Sequence, residues 1–408
     1  MYLRNYNNTV IIYLFFVNVK VIMNVCAIIC EFNPFHNGHE HLLREAKRIS
    51  GCDAVLCIMS GSFMQRGEPA VLSKFERAKH AVENGADIVI ELPTPFAVAP
   101  AEVFARGAIS ILSKIPCITT LAFGAETADK GEFLRASKML CEENETFKNA
   151  ISESLSQGES YIKSYAVAFE KCGGKKGFLS TPNNVLGVEY TKAILRTKSN
   201  IDILPIARVG HGYNDDKIDV NFSSASAIRN NIDNPDVLSN LPLSVRESVN
   251  SFVRDLTPFK KACALECVRA SADEIANSFG CTEGLENAIK DFAVKGYDDI
   301  ISGVAGKRYA ESRIKRILCQ NLLKLKRDET NEFLSGDTFI KPLAIRADRA
   351  SEILAELSKS PLPTVIKMSD LNSLSQTAKK CFDKIIKADE IWSVLTEREI
   401  YNFTIVKV

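Results

Sequence analysis

Two histidines three residues apart form the densest group of chemically capable side chains in this sequence. They lie in the segment 31–39, EFNPFHNGH, in which His36 and His39 flank Gly38. A short apolar run precedes this segment and a helical pattern follows it, so the histidines are expected where a strand passes into a helix. The free N–H groups and the positive dipole end of a helix N-terminus bind phosphates. The spacing therefore predicts phosphate chemistry, with both imidazoles supplying hydrogen bonds and positive charge where negative charge develops.

Two other interpretations of this segment stay open. One is that the histidines are incidental residues of a helix start. The other is a zinc site formed by His36, His39 and His41. Zinc is the weaker alternative, because these residues lack an i,i+4 pair and a suitably placed carboxylate. We predict no metal held by protein side chains.

A serine-rich segment later in the chain also suits phosphate binding. In residues 222–229, FSSASAIR, Ser223, Ser224 and Ser226 open a predicted helix that carries Arg229 in its first turns. Serine hydroxyls and helix N-terminal amides bind phosphate oxygens, and a guanidinium neutralises departing pyrophosphate. Serine is common at helix starts, so the pattern alone is weak. Combined with the two histidines on one parallel sheet, it predicts a nucleotide site.

Further candidates stand where predicted strands end or predicted helices begin. Arg66 lies in the loop segment 65–69, QRGEP, while Gly124 and Arg208 end two strands, and Asn183 and Asn184 precede a helix. An arginine fork suits an acid group or a phosphate, a glycine permits close approach of a nucleotide, and asparagine amides suit the edge of adenine. A solvated loop arginine, a plain turn and a helix N-cap are the ordinary alternatives.

The third feature is a basic amphipathic helix predicted over residues 307–327. The segment holds eight basic residues and one acidic residue, and its apolar residues fall on one helical stripe. In a nearly neutral chain such a helix is a natural contact for the phosphate backbone of a nucleic acid. The alternative is a core helix with a solvated basic face. The predicted RNA contacts are Lys307, Arg308, Arg313, Lys315 and Arg316.

The elements that position these residues follow an α/β pattern up to about residue 230. Strands are predicted at 25–30, 53–59, 87–92, 119–123 and 201–209, and helices at 39–50, 74–84, 101–114, 131–142 and 185–195. Alternating strands and helices predict a Rossmann-like parallel sheet whose ligands bind at the carboxyl ends of the strands. Helical patterns dominate afterwards, apart from a short extended piece at 342–345. We predict an ATP-binding domain over 23–235 and a mainly helical domain over 236–408.

Composition limits the class of protein. The 408 residues are 46% hydrophobic and 25% charged, which excludes a disordered chain. The net charge is +1, which excludes a positive electrostatic field over the whole molecule that would attract nucleic acid. The twelve cysteines include no C-x-x-C pair, which favours reduced thiols in a cytoplasmic protein. The apolar run 10–17 is too short for a membrane span. We interpret residues 1–22 as a non-native or disordered extension before Met23, with a signal peptide as the alternative.

Five segments taken in order carry a resemblance to a known family. They are NPFHNGH at 33–39, SGSFMQRGEP at 60–69, AFGAE at 122–126, TPNNVLGVEY at 181–190 and FSSASAIR at 222–229. Together they resemble the bacterial tRNA(Met) cytidine acetate ligases, within the H-x-G-H nucleotidyltransferase superfamily. The resemblance runs from Met23 almost to the C-terminus and is strongest through residue 230. The 22-residue extension is the main departure from the family.

The resemblance implies an ATP-dependent ligase acting on RNA. Acetate would attack the α-phosphate of ATP, and N4 of the wobble cytidine of elongator tRNA(Met) would then take the acetyl group, giving N4-acetylcytidine. Mg²⁺ is expected to screen the phosphates, whereas neither DNA nor a membrane is expected as a partner, and the oligomeric state stays open. By resemblance, His36, His39 and Arg229 are catalytic. ATP would contact Ile29, Cys30, Glu31, Phe32, Asn33, Pro34, Phe35, His36, Asn37, Gly38, His39, Leu42, Gly124, Asn183, Asn184, Arg208, Ser223 and Ser224.

Two other functions remain as alternatives. A nucleotidyltransferase that forms a small dinucleotide cofactor would need little beyond the first 230 residues, and this chain continues far past that point. A non-catalytic, ATP-regulated RNA-binding protein would keep the basic helix but has no need for both phosphate-binding segments. Pyrophosphate release with acetate, with and without tRNA, separates the three.

Overall fold

The computed structural model describes residues 23–209, 222–282, 284–306 and 309–408. The predicted extension at 1–22 lies outside the described residues. The strands are β1 Val25–Cys30, β2 Ala54–Ser60, β3 Ile88–Leu92, β4 Ile118–Ala125, β5 Asp202–Ala207, β6 Pro342–Ile345 and β7 Val406–Lys407. The helices up to residue 230 are α1 Asn37–Ser50, α2 Lys74–Glu83, α3 Thr94–Ala97, α4 Ala101–Leu112, α5 Lys130–Glu142, α6 Glu145–Ser156, α7 Tyr161–Lys171, α8 Pro182–Thr197 and α9 Ala225–Asn230. The later helices are α10 Leu243–Arg246, α11 Thr257–Arg269, α12 Ala272–Ala276, α13 Leu285–Ala293, α14 Tyr297–Val304, α15 Glu311–Leu322, α16 Arg327–Ser335, α17 Ala350–Leu357 and α18 Gln376–Thr396.

The predicted α/β sheet is confirmed. Within the described residues, seven strands form one sheet in the order β5-β4-β1-β2-β3-β6-β7, and the first five in this order run parallel. The chain passes from β1 outward to β2 and β3, and then crosses to β4 and β5 on the other side of β1. The direction of winding therefore reverses between β1 and β4. A ligand crevice is expected above the carboxyl ends of these two strands.

Central strands of the sheet are buried on both faces, as their unbroken apolar runs predict. On β1, Ala27 and Ile29 pack in the core that includes α4 and α18, whereas Cys26 and Ile28 pack in the core that includes α1 and α2. A third core lies among the later helices and contains the fully buried Trp392. All twelve cysteines are free thiols, as their spacing predicts. In the ranges that the structure describes, no helix has the length and apolar character of a membrane span.

The short extended piece predicted at 342–345 forms a strand, but its place in the fold was not predicted. This strand, β6, pairs antiparallel with β3 and then parallel with β7, so it extends the sheet beyond its parallel part. The sheet thus includes residues from both sides of the boundary predicted near 235. Pairing between strands so distant in sequence leaves no local pattern, which is why the sequence did not indicate it. The domain boundary itself stays a prediction.

Candidate active site

The segment with the two histidines lies where the sheet topology predicts a ligand. It follows β1 directly, and His36 is the N-cap of α1. The Nδ1 atom of His36 accepts a hydrogen bond from the backbone N–H of Gly38 at 3.1 Å, and the Nδ1 atom of His39 accepts one from the N–H of His36 at 3.3 Å. The two rings stack with centroids 3.7 Å apart. The imidazoles therefore form a reciprocal capping box, a role usually filled by Ser or Thr with Glu or Gln.

These caps determine where each neutral ring carries its proton. Because each Nδ1 atom accepts from a backbone N–H, the proton lies on Nε2. Burial, followed by the charges of Arg208 and Arg229, lowers the pKa of His36 to about 3. Burial, followed by the charges of His36 and Arg208, lowers the pKa of His39 well below its usual value. Each ring thus offers one Nε2–H donor to the cavity that both rings line.

In this structure both imidazoles favour the neutral form, so positive charge on them at the phosphate stays a prediction. The physical reason is that a charge on either of two stacked rings, one buried and one half-buried, is disfavoured by the loss of solvent and by the neighbouring arginines. Hydrogen-bond donation by the rings remains, as the spacing predicted. Positive charge in the cavity comes from Arg66, Arg208 and Arg229, which line it.

The serine-rich segment meets the histidines in the same cavity. Ser224 is the N-cap of α9, and its hydroxyl accepts from the backbone N–H of Ala227 at 3.1 Å. Arg229 donates from Nη1 to the backbone carbonyl of Asn33 at 2.7 Å. This bond joins two segments that are almost 200 residues apart in sequence. The structure thus brings together the histidine segment and the serine-rich segment, which the sequence predicts to bind phosphate.

The wall of the cavity on the β4 and β5 side holds the other nucleotide candidates. Gly124, in β4, and Arg208, directly after β5, line the cavity together with Asn183 at the start of α8. The amide of Asn183 donates to Oε1 of Glu126 at 2.6 Å. Asn184 is buried, and its amide instead bonds the backbone N–H of Thr127 and the carbonyl of Phe178.

The predicted ATP contacts divide into two groups. Those that line the cavity are Ile29, Cys30, Glu31, Phe32, Asn33, His36, Gly38, His39, Leu42, Gly124, Asn183, Arg208, Ser223 and Ser224, and the predicted catalytic residue Arg229 lines it as well. Pro34, Phe35, Asn37 and Asn184 are not among the lining residues. Phe35 packs against the ring of His39, with centroids 5.6 Å apart, and the amide of Asn37 donates to the carbonyl of Ser239 at 2.8 Å. The four residues of the second group therefore lie outside the lining of the cavity.

Sequence reasoning missed two buried basic residues of α2 that hold the strand ends around the cavity. Arg77 donates to the backbone carbonyls of Glu31 at 2.6 Å and Ser60 at 3.1 Å, which joins the ends of β1 and β2. Lys74 forms buried ion pairs with Glu91 at 2.7 Å and Asp389 of α18 at 2.6 Å. The sequence contained a signal for these residues, because both basic side chains lie on the apolar face of α2.

Glu31 is a half-buried carboxylate in the cavity whose role the sequence did not define. Its Oε1 atom accepts from the backbone N–H of Gln65 at 2.7 Å. Burial raises the pKa of Glu31, although the Gln65 bond and the charges of Arg229, Arg77 and Arg66 oppose that rise. The guanidinium groups around Glu31 outnumber its single negative charge. An anionic ligand therefore finds net positive charge on this side of the cavity.

Of the predicted RNA-contact residues, Arg313, Lys315 and Arg316 are described, and they are not among the residues that line the cavity. Lys307 and Arg308 fall outside the described residues. Arg313 of α15 donates from Nε to the carbonyl of Gly280 at 2.7 Å, Lys315 pairs with Glu311 at 2.8 Å, and Arg316 donates to the carbonyl of Gln65 at 3.2 Å. The described basic side chains of α15 thus all bond other parts of this chain. Their contact with RNA stays a prediction.

Comparison with known proteins supports the family assignment. The family model described as HIGH Nucleotidyl Transferase matches residues 23–404. A protein named tRNA(Met) cytidine acetate ligase from Acetivibrio thermocellus is 35% identical over 393 residues, covering 91% of this chain and 94% of that protein. One with the same name from Caldanaerobacter subterraneus subsp. tengcongensis is 33% identical over 404 residues, covering 95% and 98%.

Solved structures are similar over the same length. The apo crystal structure of Thermotoga maritima TmcAL has a TM-score of 0.87 at 29% identity and covers 95% of this chain and 100% of that one. The structure of the same protein with bound alpha-thio ATP has a TM-score of 0.85 at 29% identity, with the same coverage. The chain belongs to the HIGH nucleotidyl transferase family and, within it, to the tRNA(Met) cytidine acetate ligases.

Proposed function

We propose that this chain uses ATP to activate acetate and acetylates N4 of the wobble cytidine of elongator tRNA(Met). In the first step an acetate oxygen bonds to the α-phosphorus, and the bond from that phosphorus to the bridging oxygen breaks, which releases pyrophosphate and leaves acetyl-adenylate. In the second step N4 of the cytidine attacks the acetyl carbonyl, loses a proton and expels AMP. The product is N4-acetylcytidine.

The observation that carries this proposal is the convergence of two phosphate-binding segments in one cavity. His36 and His39 at the start of α1 share that cavity with Ser223, Ser224 and Arg229 around α9. Two such groups suit a triphosphate that is cleaved between its α- and β-phosphates. The names of the relatives, and the ATP analogue bound by the Thermotoga maritima protein, support the same substrate.

The chemistry of each group suggests its role. The Nε2–H donors of His36 and His39 would bond the oxygens of the α-phosphate, where charge develops in the transition state. Their capping bonds fix both rings before the substrate arrives, so little reorganisation is needed. Arg229 would neutralise the departing pyrophosphate, while Gly124, Asn183 and Arg208 would position the nucleotide on the opposite wall.

Magnesium would accompany the triphosphate. In the described part of the chain no cluster of three or more His, Cys, Asp or Glu side chains suits a metal ion. The cavity carboxylate Glu31 already accepts a hydrogen bond from the N–H of Gln65. This donor set fits an ion that is held mainly by phosphate oxygens and water, as Mg²⁺ often is. Such an ion would screen the phosphate charges.

The test is to supply purified protein with ATP, isotopically labelled acetate and elongator tRNA(Met), and to analyse the tRNA nucleosides by mass spectrometry. We expect labelled N4-acetylcytidine only when all three substrates are present, with AMP and pyrophosphate formed alongside. Omitting tRNA should leave acetyl-adenylate as the product. Transfer of AMP to a small nucleotide, or RNA binding without pyrophosphate release, would instead support one of the alternative functions.

A further inference from the structure

The loop between β2 and α2 is a compact turn whose two sides face different parts of the molecule. The backbone N–H of Met64 donates to the carbonyl of Glu68 at 2.8 Å, and the N–H of Gly67 donates to the carbonyl of Met64 at 2.9 Å. Gly67 takes a φ of +80°, which favours glycine. These bonds close residues 64–68 into one unit, which we call the QRGE turn.

One side of the QRGE turn belongs to the active-site cavity. Gln65 and Arg66 line that cavity, and the N–H of Gln65 donates to the half-buried carboxylate of Glu31. Movement of this turn would therefore move part of the cavity wall.

The other side of the QRGE turn is pressed against the basic helix α15. A Cβ atom added to Gly67 would lie 2.5 Å from the backbone carbonyl oxygen of Lys315 and 2.6 Å from Cα of Arg316. The guanidinium of Arg316 also donates to the carbonyl of Gln65 at 3.2 Å. Backbone lies against backbone here, so the position of the turn depends on the position of α15.

Glu68 connects the two sides through its carboxylate. Its Oε1 atom lies 3.2 Å from Nζ of Lys315, and its Oε2 atom lies 3.7 Å from Nη2 of Arg229. The side chains of all three residues are only 21% to 26% exposed. The pairs are thus partly shielded from solvent, and one carboxylate is shared between the cavity and the helix.

We propose that Glu68 is a positioning residue for Arg229, and that Lys315 sets how strongly Glu68 attracts it. The proposal rests on the proposed function only in placing Arg229 beside the phosphates of ATP. While Lys315 holds one carboxylate oxygen, the guanidinium of Arg229 keeps its attraction for phosphate. Without Lys315 the carboxylate pairs more fully with Arg229 and competes with the phosphates for it.

A double-mutant cycle tests this relation through ATP affinity, measured by calorimetry without acetate or tRNA. Lys315→Met should weaken ATP binding by about three- to fivefold, the range expected for a partly exposed ion pair. Glu68→Gln should not weaken ATP binding, because it removes a negative charge near the phosphates. In the Glu68→Gln background, Lys315→Met should have no further effect. Lys260→Met, which removes a more exposed ion pair with Asp298 at 2.8 Å, is the control.

Turnover gives a second readout that a purely structural role would not reproduce. Glu68→Gln should lower the rate of pyrophosphate release severalfold at saturating ATP while melting temperature and ATP affinity stay at or above wild type. Equal weakening by Lys315→Met in both backgrounds would overturn the proposal, as would weaker ATP binding by Glu68→Gln. If the wild type releases no pyrophosphate with acetate, the proposed function fails, yet the ATP affinities still decide this inference.

Discussion

The N-terminus of α1 and the helix α15 are both predicted from sequence as phosphate-binding regions, but the structure uses their polar groups differently. At α1, His36 and His39 use Nδ1 for the cap and keep Nε2–H for the cavity. At α15, each described basic side chain among the predicted RNA contacts bonds a carbonyl or a carboxylate of this chain.

Side-chain length explains why the sequence predicts where the side chains point at the start of α1 but not on α15. A short side chain at a helix cap can reach only a few backbone atoms, so its spacing fixes where the ring lies. A lysine or arginine has a long, flexible stem and many possible partners, so charge on a helical face does not identify the partner. Substitutions in both regions, and the pH dependence of stability, test this difference.

The largest effect is expected at the histidines. His36→Asn retains a good N-cap residue but loses the Nε2–H donor, and His39→Ala removes the second ring. Each should lower acetyl-adenylate formation by about 10²–10³, the usual cost of one transition-state contact. AMP production in the presence of acetate measures the effect.

The control for this prediction is His80→Asn, which changes a buried histidine of α2 whose Nε2 atom lies 3.0 Å from the hydroxyl of Ser248. Rates near wild type in both His36→Asn and His39→Ala would show that these rings do not take part in the reaction.

The second prediction concerns RNA. Lys315 and Arg316 contact the QRGE turn, so their reversal would disturb the cavity as well. We therefore choose a variant that leaves Lys315 and Arg316 in place and changes Lys307, Arg308 and Arg313 to Gln. It should spare acetyl-adenylate formation and lower transfer to tRNA roughly tenfold. The salt slope of tRNA binding should fall by about 0.9 for each duplex phosphate that the variant no longer neutralises.

Melting temperature is the control here, since Arg313 also bonds the carbonyl of Gly280. A folded variant that binds and acetylates tRNA like wild type would mean that RNA is held elsewhere.

The third prediction compares two glycines with nearly the same positive φ. Gly67 has a φ of +80° and lies against the backbone of α15, whereas Gly284 has a φ of +79° and no atom within 4 Å of an added Cβ. Gly284→Ala should cost about 1–2 kcal/mol of unfolding free energy through backbone strain alone. Gly67→Ala should cost clearly more and also slow adenylate formation. Equal costs in chemical unfolding would contradict the close packing of the turn on α15.

The fourth prediction concerns the pH dependence of stability. His36 has a pKa of about 3 when folded and about 6.5 when unfolded. Below pH 6.5 the unfolded chain therefore binds a proton that the folded chain does not, and stability falls by about 1.4 kcal/mol per pH unit from this group. His36→Asn should show a shallower loss between pH 6.5 and 4 in urea unfolding. An unchanged slope would mean that His36 is protonated in the folded state.

The sequence predicted the parts of the fold and site that local pattern determines. The five alternating strands and helices, the helix that starts at the two histidines and the helix that the serine-rich segment opens follow from residues a few positions apart. The pairing of β6 with β3 and the buried pair of Lys74 with Asp389 join residues hundreds of positions apart, and nothing near either partner indicates the other. The lowered pKa values of the two histidines could not be predicted from the sequence, because they depend on burial, which the fold creates.

Formation of acetyl-adenylate in the cavity at the start of α1 is the step on which the proposed function depends. Exchange of labelled pyrophosphate into ATP, measured with acetate and without tRNA, isolates this step because only a reversible adenylation supports the exchange. We predict exchange that requires acetate in the wild type and falls by about 10²–10³ in His36→Asn, with folding unchanged. Exchange that is independent of acetate, or that persists fully in His36→Asn, would show that this cavity does not form acetyl-adenylate as proposed.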